Sequence, residues 1–139
     1  MRLSTKGRYG LRAVVDLAVN SADEAVSIAS IAARQELSES YLEQLIARLR
    51  KAGIVNSIRG WGGGYVLARP AEDITVGQIL RALEGELSVV ECPDNQGCDK
   101  YDTCVTKYVW KRINDSINNV VDTMTLEEVI KNSCLGETQ

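Results

Sequence analysis

A mainly α-helical fold carrying one small β-hairpin is what this 139-residue sequence predicts. Three observations predict it. Apolar residues recur every three or four positions through residues 5–52. The period then changes to two short β-rich runs on either side of a glycine cluster, and helical spacing returns from residue 76. The length suits a single domain with a core of its own.

Thr5 to Asn20 forms the first predicted helix, with Leu11, Val14, Val15, Leu17, Ala18 and Val19 at mostly helical spacing. "SADEA" (21–25) is a turn. Ser27 can cap a short helix through Gln35, with Ile28, Ile31 and Ala32 facing inward. After "ELS" a longer helix runs to about Ala52, its stripe Leu42, Leu45, Ile46 and Leu49 following the i, i+3, i+4, i+7 pattern. "IVNSI" (54–58) and "YVLA" (65–68) are strands joined by "RGWGGG" (59–64), and Pro70 closes the hairpin. Thr75-x-x-Gln78 and Thr125-x-x-Glu128 are capping-box signatures for helices at about 76–84 and 126–132. Between them lies a cysteine-bearing loop, then a helix from roughly Val105 to Val121. Its apolar positions Val105, Val109, Ile113, Ile117 and Val121 repeat every four residues.

Composition narrows the function. Apolar residues make up 45% and charged residues 25%, ordinary for a globular protein in water. The longest apolar runs are a few residues and the N-terminus has no cleavage-site pattern, so a cytoplasmic protein without a membrane partner is expected. Residues 1–60 carry nine Lys/Arg against six Asp/Glu, and the remainder is acidic by six charges. That split leaves room for a basic face on the first half alone. No paired acid and base, nucleophile arrangement or nucleotide loop is present, and there is no histidine for general-base work, so an enzyme or electron carrier is not expected.

Two short helices, a helix with a polar outer face and a hairpin are the order of a winged helix-turn-helix, whose second helix enters the major groove of duplex DNA. Opposite Leu42 and Leu45 sit Ser40, Gln44, Ala47 and Lys51, flanked by Tyr41 and Glu43. Gln pairs with adenine, Ser with either base, and a carboxylate accepts from cytosine N4. Arg48, Arg50 and Lys51 supply charge for phosphates. The other readings are a solvated face, Glu43 completing a capping box with Ser40, and Arg50 and Lys51 favouring the helix C-terminus. Arg59 suits a narrow minor groove, and Gly60, Gly62, Gly63 and Gly64 let the tip approach closely.

Cys92, Cys98 and Cys104 are spaced C-x5-C-x5-C, an arrangement of ligands rather than of disulfides in a reducing compartment. Thiolate sites need four donors, and zinc competes with an iron–sulfur cluster here, although five intervening residues are long for zinc.

"MRLSTKGRYGLRA", "SYLEQLIARLRKAGIVNSIRG", "GGGYVLA", "ITVGQILRALEG" and the three even cysteines together resemble the IscR-like iron–sulfur cluster regulators, bacterial transcription factors, over about residues 1–132. The resemblance implies a homodimer on a double-stranded DNA operator, with the helix after the cysteines as its interface. It also implies a [2Fe-2S] cluster that biases DNA binding. Ser40, Glu43 and Gln44 fall at its base-contacting positions, Arg59 at its minor-groove position, and Cys92, Cys98 and Cys104 at its cluster ligands. The expected division is a winged head (1–84), a cluster loop (85–104), and a dimerisation helix with a C-terminal helix packing on the head (105–139).

Two positions depart from the family. Trp61 stands where the wing usually has proline, and Lys107 where the fourth ligand, histidine, is expected. Lysine must shed a proton to ligate, which nearby thiolates oppose, so Lys107 is read as a charge or hydrogen-bond partner. Glu91, Asp94, Asp99, Asp102 or a partner-subunit residue are the better fourth donors, and Cys134 is read as a tail cysteine. The rival reading is cluster-free: thiol oxidation, or a regulatory protein docked on the acidic half, would control the same winged head.

Overall fold

The computed structural model describes residues 2–90 and 105–133. Its elements are α1 (Thr5–Asn20), α2 (Ile28–Gln35), α3 (Glu39–Lys51), β1 (Val55–Ile58), β2 (Gly64–Leu67), a 3-10 turn (Ala71–Asp73), α4 (Val76–Glu84), α5 (Lys107–Thr123) and α6 (Leu126–Lys131). The mainly helical class with one antiparallel hairpin is therefore the observed one.

Most helices begin where a side chain satisfies an orphan amide. Ser4, Ser27, Ser38, Thr75 and Thr125 each accept from an amide of their helix's first turn, worth roughly 1 kcal/mol apiece. At Thr75 the capping box is complete, because Gln78 returns the bond to the Thr75 amide. α5 differs. Its N-cap Thr106 makes no side-chain cap bond; the hydroxyl instead accepts from the Trp110 indole N–H at 3.1 Å. The helix accordingly starts at Lys107, two residues later than the spacing suggested.

The core forms where the apolar stripes meet. Val14 and Leu17 of α1, Ile31 of α2, Leu42, Leu45, Ile46 and Leu49 of α3, Ile54, Val55, Ile79, Leu83 and Leu126 converge, all at most 1% exposed. Burying each such side chain contributes about 1.5–3 kcal/mol. Val19, which breaks the i, i+3, i+4 spacing of Val14, Leu17 and Ala18, is 38% exposed.

α1 and α4 approach closely because α1 carries glycine at the contact. A Cβ on Gly10 would lie 2.3 Å from Leu83 Cδ1, and one on Gly7 would lie 2.6 Å from Glu84 Oε2. The Glu84 carboxylate uses that space to accept from the Ser4 amide (2.6 Å), the Ser4 hydroxyl (2.8 Å) and the Gly7 amide (3.0 Å). Partial burial pushes its pKa up, but these bonds and Lys6 outweigh burial and hold it below the ordinary carboxylate value.

The hairpin registers Val55 with Leu67 and Ile58 with Gly64. Its neck is tied to the head by a bridge the sequence did not suggest. Val26, just after the α1–α2 turn, exchanges two backbone bonds with Tyr65, at 2.9 and 2.8 Å.

α5 lies over α4 at only one end. A four-residue repeat drifts about 40° per step around a 3.6-residue helix. Val121 thus joins Val76, Leu80 and Leu87 in a second apolar cluster, while Val109 and Ile113 stay 43% and 39% exposed. Arg81 fixes the contact with a two-pronged ion pair to Asp122 (2.6 and 3.0 Å) and a bond to Asn118. α6 returns to the head, where Leu126 is fully buried and its amide donates to Ile74 O at 2.8 Å.

Candidate nucleic-acid interface

The helix-turn-helix pair is oriented by one buried carboxylate. Asp16 of α1, 4% exposed, accepts from Arg34 Nη2 (2.7 Å) and Nε (2.9 Å), and from Gln35 Nε2 (2.9 Å). Burial pushes the carboxyl up, yet these hydrogen bonds and the guanidinium charge hold it below the usual range. α2 is thereby locked across α1. Glu36 then turns the chain in the left-handed region (φ 57°), and Ser38 restarts it as α3.

Ser38, not Ser40, is the N-cap of α3, its hydroxyl accepting from the Tyr41 amide. The capping box proposed for Ser40 and Glu43 is therefore overturned, since both lie inside the helix. The arrangement exposes Ser40, Glu43, Gln44, Ala47, Arg48, Arg50 and Lys51, while Leu42, Leu45, Ile46 and Leu49 face inward. Tyr41 is only half-buried. Its hydroxyl shares a 2.8 Å hydrogen bond with Thr5, and its ring meets Tyr9 edge-on with centroids 6.4 Å apart. It therefore braces α3 on α1. The Tyr9 ring in turn carries the Arg8 and Arg12 guanidiniums, 5.6 and 5.2 Å from its centre. Both arginines are exposed, and Arg12 is further held by Gln35.

The wing tip is built by backbone geometry. Gly60 (φ 96°) and Gly62 (φ 74°) adopt left-handed conformations, and the Gly63 amide closes the turn on Gly60 O at 3.0 Å. Ile58, Arg59, Gly60 and Trp61 are all exposed there.

One electrostatic signal stands in the sequence itself. From Gln44 to Ala71 the chain carries Arg48, Arg50, Lys51, Arg59 and Arg69 and no acidic residue. Arg69 bonds to Asp73 O and Gln78, which leaves the other four, all exposed, along α3 and the wing. A polyanion brought to the C-terminal part of α3 and the wing meets these cations, while the carboxylates of α3, Glu39 and Glu43, stand in its first half.

Cys92, Cys98, Cys104 and Cys134, with the candidate donors Glu91, Asp94, Asp99 and Asp102, lie outside the described residues. Among the described residues no group of three His, Cys, Asp or Glu is placed to hold a metal ion. Three thiolates suit iron or zinc; a fourth donor is not supplied by any described cluster. The approach to the cysteine segment is defined on both sides. Asn114 of α5 accepts from the Val89 amide (2.8 Å) and donates to Ser88 Oγ (3.2 Å), and Asn118 donates to Leu87 O (3.4 Å). Lys107, half-buried, is the first residue of α5, three positions after Cys104. Beyond these contacts, Tyr108, Val109, Arg112, Ile113, Ser116 and Ile117 line an open groove along α5.

Comparison with known proteins gives concordant results. The family Rrf2, described as an iron-dependent transcriptional regulator, matches residues 3–132. The HTH-type transcriptional regulator IscR of Escherichia coli O1:K1 is 42% identical over 132 residues, 95% of this chain and 82% of that protein. Among solved structures, T. potens IscR superposes with a TM-score of 0.81 at 47% identity, covering 100% of this chain and 93% of the other. CymR, titled the global cysteine regulator of B. subtilis, gives 0.80 at 42% identity, covering 96% and 98%.

Proposed function

This chain belongs to the Rrf2 family of transcriptional regulators, and from that premise we propose that it binds a double-stranded operator as a homodimer under control of a [2Fe-2S] cluster. It is an IscR-like regulator, not an enzyme, as its named relatives are. No helix among the described residues is long and apolar enough to cross a membrane. A cytoplasmic location belongs to the same proposal.

The observation that carries DNA binding is the acid-free run from Gln44 to Ala71, which covers the second half of α3 and the wing, on a helix whose exposed face is polar apart from Ala47. In this proposal Ser40, Glu43 and Gln44 contact base edges, and Arg48 and Lys51 contact phosphate. Arg59 and Gly60 enter the minor groove, and Tyr41 positions the helix. The head is 1–84, the cluster loop 85–104, and the dimerisation and C-terminal helices 105–139. The exposed Val109–Ile113 face supports the dimer, because it is apolar and lies on the half of α5 that α4 does not cover.

Cys92, Cys98 and Cys104 would hold the cluster, whose presence or oxidation supplies a change of charge and ligation at the loop. Lys107 would act beside it as a charge partner, and an oxygen donor in the loop or on the partner subunit would complete the set. The second reading keeps the winged head and drops the cluster: the thiols respond to oxidation, or a protein docks on the acidic half. It draws support from the missing histidine and from a relative of the same fold titled a cysteine regulator.

The test is to select duplexes from a randomised pool with anaerobically purified protein, then measure iron, sulfide and visible absorption on the same sample. Selected sites with salt-dependent affinity and a coloured protein, bleached by replacing any of the three cysteines with Ala, are expected. A colourless protein that still selects sites gives the second reading. Failure to select any sequence refutes both.

A further inference from the structure

We propose that Trp61 is a specificity-determining residue of the wing, its indole packing against the DNA duplex beside Arg59. The inference rests on the DNA-binding reading above and deepens it at one position. Trp61 is 106% exposed, although tryptophan is among the side chains most buried on average. The fold presents it there by construction. Glycines with positive φ stand on both sides of it, at 60 and 62, so the turn holds the indole at the outermost point of the hairpin.

The neck below is fixed. Tyr65 is bonded twice to Val26, and a Cβ on Gly64 would fall 2.5 Å from Val26 O, so the hairpin base is clamped to the head. The clamp fixes the place on the head from which the tip carrying the indole projects. The surroundings select the partner. Trp61 lies between Ile58 and Arg59 on one side and three glycines on the other, inside the 28-residue stretch from Gln44 to Ala71 that carries no carboxylate. An apolar ring among cations suits a polyanion with apolar edges, namely the sugars and bases of a duplex. Apolar side chains inserted at base steps are a recognised device, sensitive to how readily the step deforms.

The experiment uses a duplex selected by the wild-type protein. Trp61→Ala should weaken binding about five- to tenfold, the low end for an aromatic–base contact, without changing the slope of log K against log salt. Trp61→Phe should restore most of the affinity. The duplex should quench tryptophan emission and shield it from acrylamide in wild-type protein and in Trp110→Phe, and leave it unchanged in Trp61→Phe. A duplex that binds Trp61→Ala as tightly as wild type, with Trp61 emission unmoved, overturns this proposal and leaves the DNA-binding reading standing. If wild-type protein selects no duplex, both fall together.

Discussion

Replacing Asp16 with Asn removes one charge and almost no volume, so it isolates what the buried carboxylate does. Oδ1 accepts from Arg34 Nη2 (2.7 Å) and Asn20 Nδ2 (3.4 Å), and Oδ2 accepts from Arg34 Nε and Gln35 Nε2 (both 2.9 Å). Each oxygen thus faces two donors. An asparagine amide placed either way sets its NH2 against N–H groups, and no flip relieves it. Charge-assisted bonds contribute about 1.5–3 kcal/mol each, and Arg34, 40% exposed, recovers part of the loss by turning to water. We expect a loss of about 2 kcal/mol, or roughly 6 °C in Tm for a domain of this size. The check is thermal and urea unfolding by circular dichroism at pH 7.

The pH dependence has a definite sign. The folded Asp16 carboxyl lies below its unfolded value, so its stabilisation is fully present above the unfolded pKa. It is lost as pH falls through the folded one. The gap between wild type and Asp16→Asn should therefore be constant near neutrality and close on the acid side. A Tm within 1 °C of wild type, or a gap that widens on acidification, would refute the reasoning. Operator binding should fall with the loss, because the same carboxylate orients α2, from which α3 turns.

Gly10→Val should cost about 1–3 kcal/mol by denaturant unfolding, since Leu83 occupies the space a side chain needs; a neutral change would mean that α1 and α4 part easily. Ile113→Asp should yield monomers by sedimentation and weaken operator binding, whereas a folded variant that stays dimeric would place the interface elsewhere. Gln44→Ala and Arg59→Ala should each cost about 1–3 kcal/mol on the selected site and far less on random DNA. Equal losses on both would make them backbone contacts. Lys107→His should slow cluster loss in air, measured as decay of visible absorption; an unchanged rate would mean that position 107 does not face the metal.

What the sequence disclosed, and what it withheld, follows from the range of the interactions. The α3 stripe and the Ser27 and Thr75 caps were legible because each is settled within a few residues. The hairpin was legible because its turn is short and rich in glycine. Glu84 capping α1 spans 77 to 80 positions, and the Val26–Tyr65 bridge joins a turn to a strand; neither has a local pattern. Gly7 and Gly10 read as ordinary helix residues until the facing Glu84 and Leu83 are known. The alternative of a Ser40–Glu43 capping box, now excluded, has a local origin. Ser38 and Ser40 both lie near the start of α3, and only the Ser38 bond to Tyr41 selects between them.

The same long-range contacts make α4 one element, beside α6, through which the loop can reach the head. One face of α4 packs on α5, where Arg81 grips Asn118 and Asp122. Its last residue, Glu84, grips the N-terminus of α1 at Ser4 and Gly7, the latter two residues before Tyr9 of the Tyr9–Tyr41 brace. Asn118 is shared, bonding both to Arg81 and to Leu87 O in the stem that leads into the cysteine segment. A change of ligation that pulled on residues 87–90 would act on Asn114 and Asn118 first, then on Arg81. From there it would reach Glu84 and the seat of α1 under the recognition helix. Asn118→Ala should therefore leave thiol or metal chemistry intact, read by visible absorption, while narrowing the difference in operator affinity between the two states of the loop. Were that difference unchanged, the signal would have to pass through α6 or the dimer interface instead of the Asn118–Arg81 contact.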